Sequence, residues 1–223
     1  MTESIISLNG ESVQTLEVLF LTTIITLLPS LLVMMTSFSR YVISFSFLRT
    51  ALGTQQTPPN IVLIGMALFL TLFTMGPTLD EIRTEAYEPY IAEEISQEDF
   101  LDRAQVPLKE FMLRNTKAST LEMYCDLAGT EMPETVSVKT ASELPLKVVV
   151  PAFMTCELQR AFEIGFLLFI PFMLIDVVVS STLMSMGMIM LPPSMISMPF
   201  KLLLFVALNG WELLFSNLIR SFN

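Results

Sequence analysis

Asp176 and Lys201 are the only charged residues between positions 164 and 211 of this chain. An ionisable group in such apolar surroundings costs several kcal/mol unless it is paired, hydrated or shielded by protein. Three roles fit the two residues: a buried ion pair that fixes subunit geometry, a proton-coupling group, or side chains that reach back to an interface. The position of the turn between them decides how they meet. A reversal at Met188 and Ile189, about twelve residues from each, sets them level across antiparallel helices; a reversal at Pro192-Pro193 offsets them by roughly 8 residues, or ~12 Å. Prolines cannot continue a helix, so Pro192-Pro193 marks the turn and pairing is expected between neighbouring subunits.

Glu157, Arg160 and Glu163 recur every third residue, roughly on one helix face. They read as a solvated face, with an intersubunit salt-bridge ladder as the alternative. Seven of the sixteen methionines fall between Met173 and Met198, and Met186, Met188 and Met190 alternate around Gly187 just before the turn. The unbranched, polarizable thioether suits a surface that must deform and repack, so these residues are either a gasket or core filling. The chain has no histidine. No Ser/His/Asp, Cys/His or paired-carboxylate pattern has catalytic support, and Gly53, Gly65 and Gly76 do not form a phosphate loop. Cys125 and Cys156 make neither a disulfide framework nor a zinc site. No enzyme activity and no cofactor are expected.

The elements that must carry these residues are apolar. Of the 223 residues 52% are hydrophobic and 15% charged, with a mean hydropathy of +0.63. That charged share is well below the roughly 25% of ordinary globular chains, so the sequence reads as an integral membrane or membrane-derived assembly protein. With 12 Lys+Arg against 22 Asp+Glu and a net charge of −10, it has no basic stripe to neutralise phosphates, and nucleic acid is not expected as a partner.

Residues 18–35 and 61–79 are uncharged runs of spanning length, the first interrupted by Pro29. Between them a basic connector at 36–60 carries Arg40 and Arg49, and its apolar stretch 41–48 is too short to span. From 80 to 147 the chain turns acidic, holding 15 of the 22 acids and 7 of the 12 bases. Helical pieces are predicted there at 96–104, capped by Ser96 with Asp99 following, and at 107–115, opened by Pro107. A further helix starts at Ala152, and 164–211 reads as a hairpin of two spanning-length helices. The chain thus divides into N-terminal apolar helices (1–79), an acidic insertion (80–150) and a C-terminal apolar hairpin with a methionine-rich loop (151–223). The arginines of the connector assign it to the cytoplasm and the insertion to the outside. The first residues lack the positive region of a signal peptide, so the first apolar segment is expected to be retained. Hydropathy does not separate lipid from a sister subunit as the cover of an apolar helix.

Two signatures carry a resemblance. The first is Met34-Met35-Thr36-Ser37-Phe38 with Phe47-Leu48-Arg49-Thr50-Ala51-Leu52-Gly53-Thr54-Gln55-Gln56-Thr57-Pro58-Pro59-Asn60. The second runs through Pro151-Ala152-Phe153, Glu157-Leu158, Ala161-Phe162, Gly165-Phe166, Pro171-Phe172, Ile175-Asp176, Met186-Gly187, Met190-Leu191-Pro192-Pro193 and Met198-Pro199-Phe200-Lys201. Together they closely resemble the flagellar biosynthetic protein FliP family. The resemblance implies an all-α fold of helical hairpins with an acidic, mainly helical insertion, assembling into a multi-subunit pore. It implies a non-enzymatic subunit of the bacterial type III export gate, working with several copies of itself, two smaller gate subunits and the export-apparatus platform, in contact with membrane lipid and with unfolded flagellar proteins in transit. The expected location is the bacterial cell membrane at the flagellar basal body, with the complex partly above the bilayer on the extracytoplasmic side. The family's pore-constricting loop falls on Met188, Ile189 and Met190, where isoleucine departs from a triple-methionine pattern; Met186 flanks it. Its sensitive acid and base fall on Asp176 and Lys201, and its intersubunit glutamate on Glu157. The equivalent subunit of a virulence-type injectisome and, from another class, an ion-coupled channel or transporter remain alternatives.

Overall fold

A computed structural model describes residues 6–8, 11–13, 15–132, 143–188 and 190–222. The fold is all-α apart from a terminal antiparallel pairing of β1 (Ile6–Leu8) with β2 (Glu11–Val13), which sets Ile6 opposite Val13. Helix α1 (Thr15–Met35) continues through Pro29 and meets α2 (Phe38–Leu52) at a bend of 70°. Helix α3 (Asn60–Ile82) runs on through a π-helical turn (Arg83–Tyr87) into α4 (Glu88–Ile91), giving a rod of 32 residues. The insertion supplies α5 (Gln97–Arg114) and α6 (Ala118–Ala128). Then come the 40-residue α7 (Leu146–Ser185), α8 (Pro193–Ala207) and α9 (Gly210–Arg220), the last two bent by 65° at Asn209, whose φ is +50°.

The expected connector at 36–60 is largely the helix α2, and it lies at the centre of the fold. Tyr41, Phe45, Leu48, Ala51 and Leu52 are buried in one core with Leu63 and Ala67 of α3, Phe172 of α7, Phe205 of α8, and Leu214 and Leu218 of α9. Four serines in this segment and two arginines dilute its hydropathy, which hid a core helix. Arg40 is fully buried, so it cannot serve as a cytoplasmic charge, and the orientation argument keeps only Arg49 of its two arginines.

Helix α2 lies against α7 at close range. A Cβ on Gly165 would sit 2.4 Å from Cγ of Phe47, whose ring also makes edge-on contacts with Phe162 and Phe169. A side chain at 165 would therefore push the two helices apart.

The acidic insertion shares a second core with the start of α7. Met112, Leu113, Leu121 and Cys125 pack with Val148, Val149, Ala152 and Phe153. That packing extends α7 backwards, so it begins at Leu146, through Pro151, and not at Ala152. The two predicted pieces 96–104 and 107–115 are one helix, α5, that passes through the buried Pro107. Its N-terminus is as expected: Ser96 Oγ accepts from the Asp99 N–H at 3.1 Å and the Ser96 N–H donates to Asp99 Oδ2 at 3.3 Å, a capping box. Cys125 and Cys156 are both buried free thiols.

Two described helical rods, Asn60–Ile91 and Leu146–Ser185, are long and apolar enough to cross a membrane, or up to four segments if each bent pair counts as one span. Only 28% and 11% of their most apolar windows are buried within the chain. The outer faces of these helices are left uncovered by the other described residues.

Two outcomes test this packing. Gly165→Ala is expected to destabilise the protein by about 1–3 kcal/mol through overpacking against Phe47, and Phe47→Ala in the same chain should recover part of the loss; denaturant unfolding in detergent measures both. The hydrogen bond from the Ser96 hydroxyl, then that from its backbone N–H, holds the Asp99 carboxyl below the usual carboxylate range. A depressed folded value means the cap is fully present above the unfolded carboxylate range and is lost as pH falls through the depressed value. Amide exchange in the first turn of α5 should accelerate on acidification across that window, and Ser96→Ala, which leaves only the backbone N–H on the carboxylate, should weaken the pH dependence.

Candidate functional site

Of the charges expected to face water or neighbouring subunits, Glu157 turns inward. Glu157 has no exposed surface, and neither does Arg40, its partner on α2. Arg40 Nε donates to Glu157 Oε2 at 2.7 Å and Arg40 Nη2 donates to Oε1, a two-pronged contact that matches the guanidinium fork to the carboxylate. Arg40 Nη1 donates to the Ser221 carbonyl at 3.0 Å and to its hydroxyl at 2.7 Å, and the guanidinium lies 3.5 Å from the centroid of the Phe222 ring. One buried arginine therefore ties together α2, α7 and the segment after α9. Within the protomer Glu157 is consequently not on a solvated face.

Arg160 and Glu163 do not join it. Glu163 is exposed, accepts from Gln159 Nε2 at 3.0 Å, and lies 4.0 Å from Lys117 Nζ. Arg160 is half-buried and forms no ion pair among the described residues. The three residues are thus split among three surroundings, and no ladder exists within the protomer.

Asp176 and Lys201 meet inside one chain, contrary to the offset that the prolines suggested. Lys201 Nζ donates to Asp176 Oδ2 at 2.7 Å, Ser197 Oγ donates to Asp176 Oδ1 at 2.6 Å, and Lys201 Nζ also donates to the Ala51 carbonyl at 3.0 Å. The reason is where α7 stops. Gly187 takes φ +74°, its N–H donates to the Met184 carbonyl at 3.1 Å, and the Met188 N–H donates to the Leu183 carbonyl at 3.0 Å. This left-handed glycine cap ends α7 well before Pro192, so the connection 186–192 is centred on residue 189 and the two charges come level. Lys201 also satisfies a carbonyl in the last turn of α2, where a cation is favoured by the helix dipole.

The described methionines of the connection are exposed. Met186 is 72% exposed, Met188 38% and Met190 98%. Ile189 lies outside the described residues. These methionines are not core filling in the protomer, and they sit at the joint of two apolar helices.

Sequence reasoning missed Arg40, Ser197 and Ser221. For Arg40 a signal existed: an arginine inside a segment destined for burial must have a partner, and Glu157 was the acid entering an apolar helix. For the serines no signal existed, because their roles depend on the turn and on where the C-terminal segment lies. Among the described residues no group of three or more His, Cys, Asp or Glu side chains could hold a metal ion.

Comparison with known proteins agrees with these signatures. The FliP family profile matches residues 21–218. The chain is 52% identical over 214 residues to the flagellar biosynthetic protein FliP of Aquifex aeolicus, covering 96% of this chain and 88% of that one. It is 49% identical over 208 residues to the protein of the same name from Bacillus subtilis, covering 93% and 92%. With that of Caulobacter vibrioides it shares 44% identity over 227 residues, covering 100% and 84%.

The buried pair makes a sharp energetic prediction. Arg40→Met or Glu157→Leu alone, which strands one charge in the core, should cost about 3–5 kcal/mol, whereas the two replacements together should cost far less than the sum. Unfolding of the four proteins in one detergent gives the coupling; near-additive losses would show that the two groups do not depend on each other.

Proposed function

This chain belongs to the FliP family, and on that premise we propose that it is a core subunit of the flagellar type III protein export gate, the conduit through which unfolded flagellar proteins are secreted. It is a membrane component of the flagellar export apparatus, and its relatives carry the name flagellar biosynthetic protein. In the proposed assembly several copies, with two smaller gate subunits and the export-apparatus platform, enclose a lumen at the basal body, partly above the bilayer on the extracytoplasmic side. The acidic insertion lies on that side.

The observation that carries this reading is the exposed methionine joint. Met186, Met188 and Met190 project from the end of a hairpin whose two helices are locked level by Asp176 and Lys201. Several such joints brought to one axis form an apolar ring around Met188, Ile189 and Met190. Hydrophobic constrictions exclude water and ions by dewetting, and thioether side chains repack around a passing chain of varied shape. The internal ion pairs serve as struts that keep each joint in place. An ion-coupled transporter has less support, because both oxygens of Asp176 are engaged by Lys201 and Ser197. The flagellar names of the relatives favour the flagellar branch over an injectisome subunit.

Replacing Met188, Ile189 and Met190 together by alanine should raise small-ion leakage several-fold across membranes containing the complex, while the complex still forms. Unchanged conductance with normal export would remove the gasket role.

A further inference from the structure

Two surfaces that the protomer leaves open are complementary to each other. Helices α7, α8 and α9 enclose an apolar groove of about 390 Å³, lined by residues such as Leu167, Pro171 and Leu213, with Asn217 and Ser221 at the end nearest Arg40. That end is fixed, because Ser221 is held by Arg40 beside Glu157. Arg160 stands one turn before the groove residues of α7, and Arg220 stands next to Ser221, so both arginines flank the same end. Neither forms an ion pair among the described residues, since Glu157, the acid on the same turn of α7 as Arg160, is taken up by Arg40.

The other surface is on α3. Gly65, Phe69, Phe73, Gly76 and Asp80 follow one another at spacings of three or four residues and share a helix face. Phe69 is 76% exposed and Phe73 70%, so neither fills the groove of its own chain. A Cβ on Gly65 or Gly76 would meet nothing within 4 Å. Glycine in mid-helix costs about 0.5–1 kcal/mol relative to alanine, and nothing inside the protomer requires it at these positions. A backbone approached closely from outside does require it. The stripe ends in Asp80, followed by Glu81, and neither forms an ion pair among the described residues.

We infer that the α3 stripe of one copy seats in the α7–α9 groove of the next, with Asp80 and Glu81 against Arg160 and Arg220. The inference rests on the gate reading and names its self-contact. With the charged ends together, Phe73 lies seven residues, or ~10 Å, from Asp80, and Leu213 lies the same distance from Arg220, so the two come level. Groove and stripe are different surfaces, so the contact is head-to-tail and successive copies follow one another around an axis, as a conduit requires.

Phe73→Cys and Leu213→Cys in one chain should give disulfide-linked copies in the purified complex on mild oxidation, whereas Phe73→Cys with Met123→Cys on α6 should not; the native thiols are buried and contribute little background. Reversing Arg160 and Arg220 to glutamate, or Asp80 and Glu81 to lysine, should lower recovery of the multi-copy complex by about tenfold or more, and combining the reversals should restore most of it. A multi-copy complex of normal mass without the 73–213 link overturns the inference, as do combined reversals no better than either alone. Loss of bound anionic lipid in the Arg160 and Arg220 variants with copy number unchanged also overturns it, by making lipid the occupant. Failure of the unaltered protein to form a multi-copy complex overturns the gate reading instead.

Discussion

A guanidinium and a carboxylate removed from water cost several kcal/mol each, and Arg40 and Glu157 meet that cost by satisfying one another in a fully buried, two-pronged contact. The rest of the structure follows from accommodating this pair. It draws the start of α2 against α7, and its spare donors reach Ser221, which brings the chain back beside its own core after α9. At the far end of α2 the second pair repeats the device, with Lys201 holding both Asp176 and the Ala51 carbonyl. Between the two grips, Gly165 admits Phe47 at a distance no other residue would permit. Helix α2 is therefore fixed at both ends and in the middle to α7.

This arrangement inverts the usual placement of charge and grease. The polar contacts that specify geometry are inside the protomer, while the long apolar faces of α3 and α7 point outward. Such a body is not stable as a solitary object in water, and its outer faces call for lipid or for other subunits. Internal struts and external grease together suit the proposed packing beside copies of itself. In the proposed gate the methionine joint would gain its value from the same rigidity, since a soft ring around a lumen needs firm supports behind it.

Much of the fold was legible in the sequence. The long uncharged runs became helices, Ser96 capped α5 as its spacing with Asp99 suggested, and the methionines around Gly187 fall in the loop just before the expected turn. The signatures at 34–60 and 151–201 carried the family. What was not legible depended on tertiary context. Pro192-Pro193 drew the turn to itself, although a left-handed Gly187 had already ended α7, and that difference moved an expected intersubunit pair into one chain. Pro107 and Pro151 looked like helix starts, but the packing of the insertion on α7 carries both helices through them. Arg40 read as a mark of membrane orientation because its partner is 117 residues away.

The central claim is that these protomers gather so that their methionine joints close a common throat. The most direct measurement is the rate at which a charged, membrane-impermeant thiol reagent modifies Met190→Cys in the isolated protomer and in the assembled complex, with Cys125 and Cys156 buried in both. Position 190, almost wholly exposed in the protomer, should react rapidly there and at least about tenfold more slowly in the closed complex, where dewetting excludes the reagent. Equal rates in the two states would contradict it.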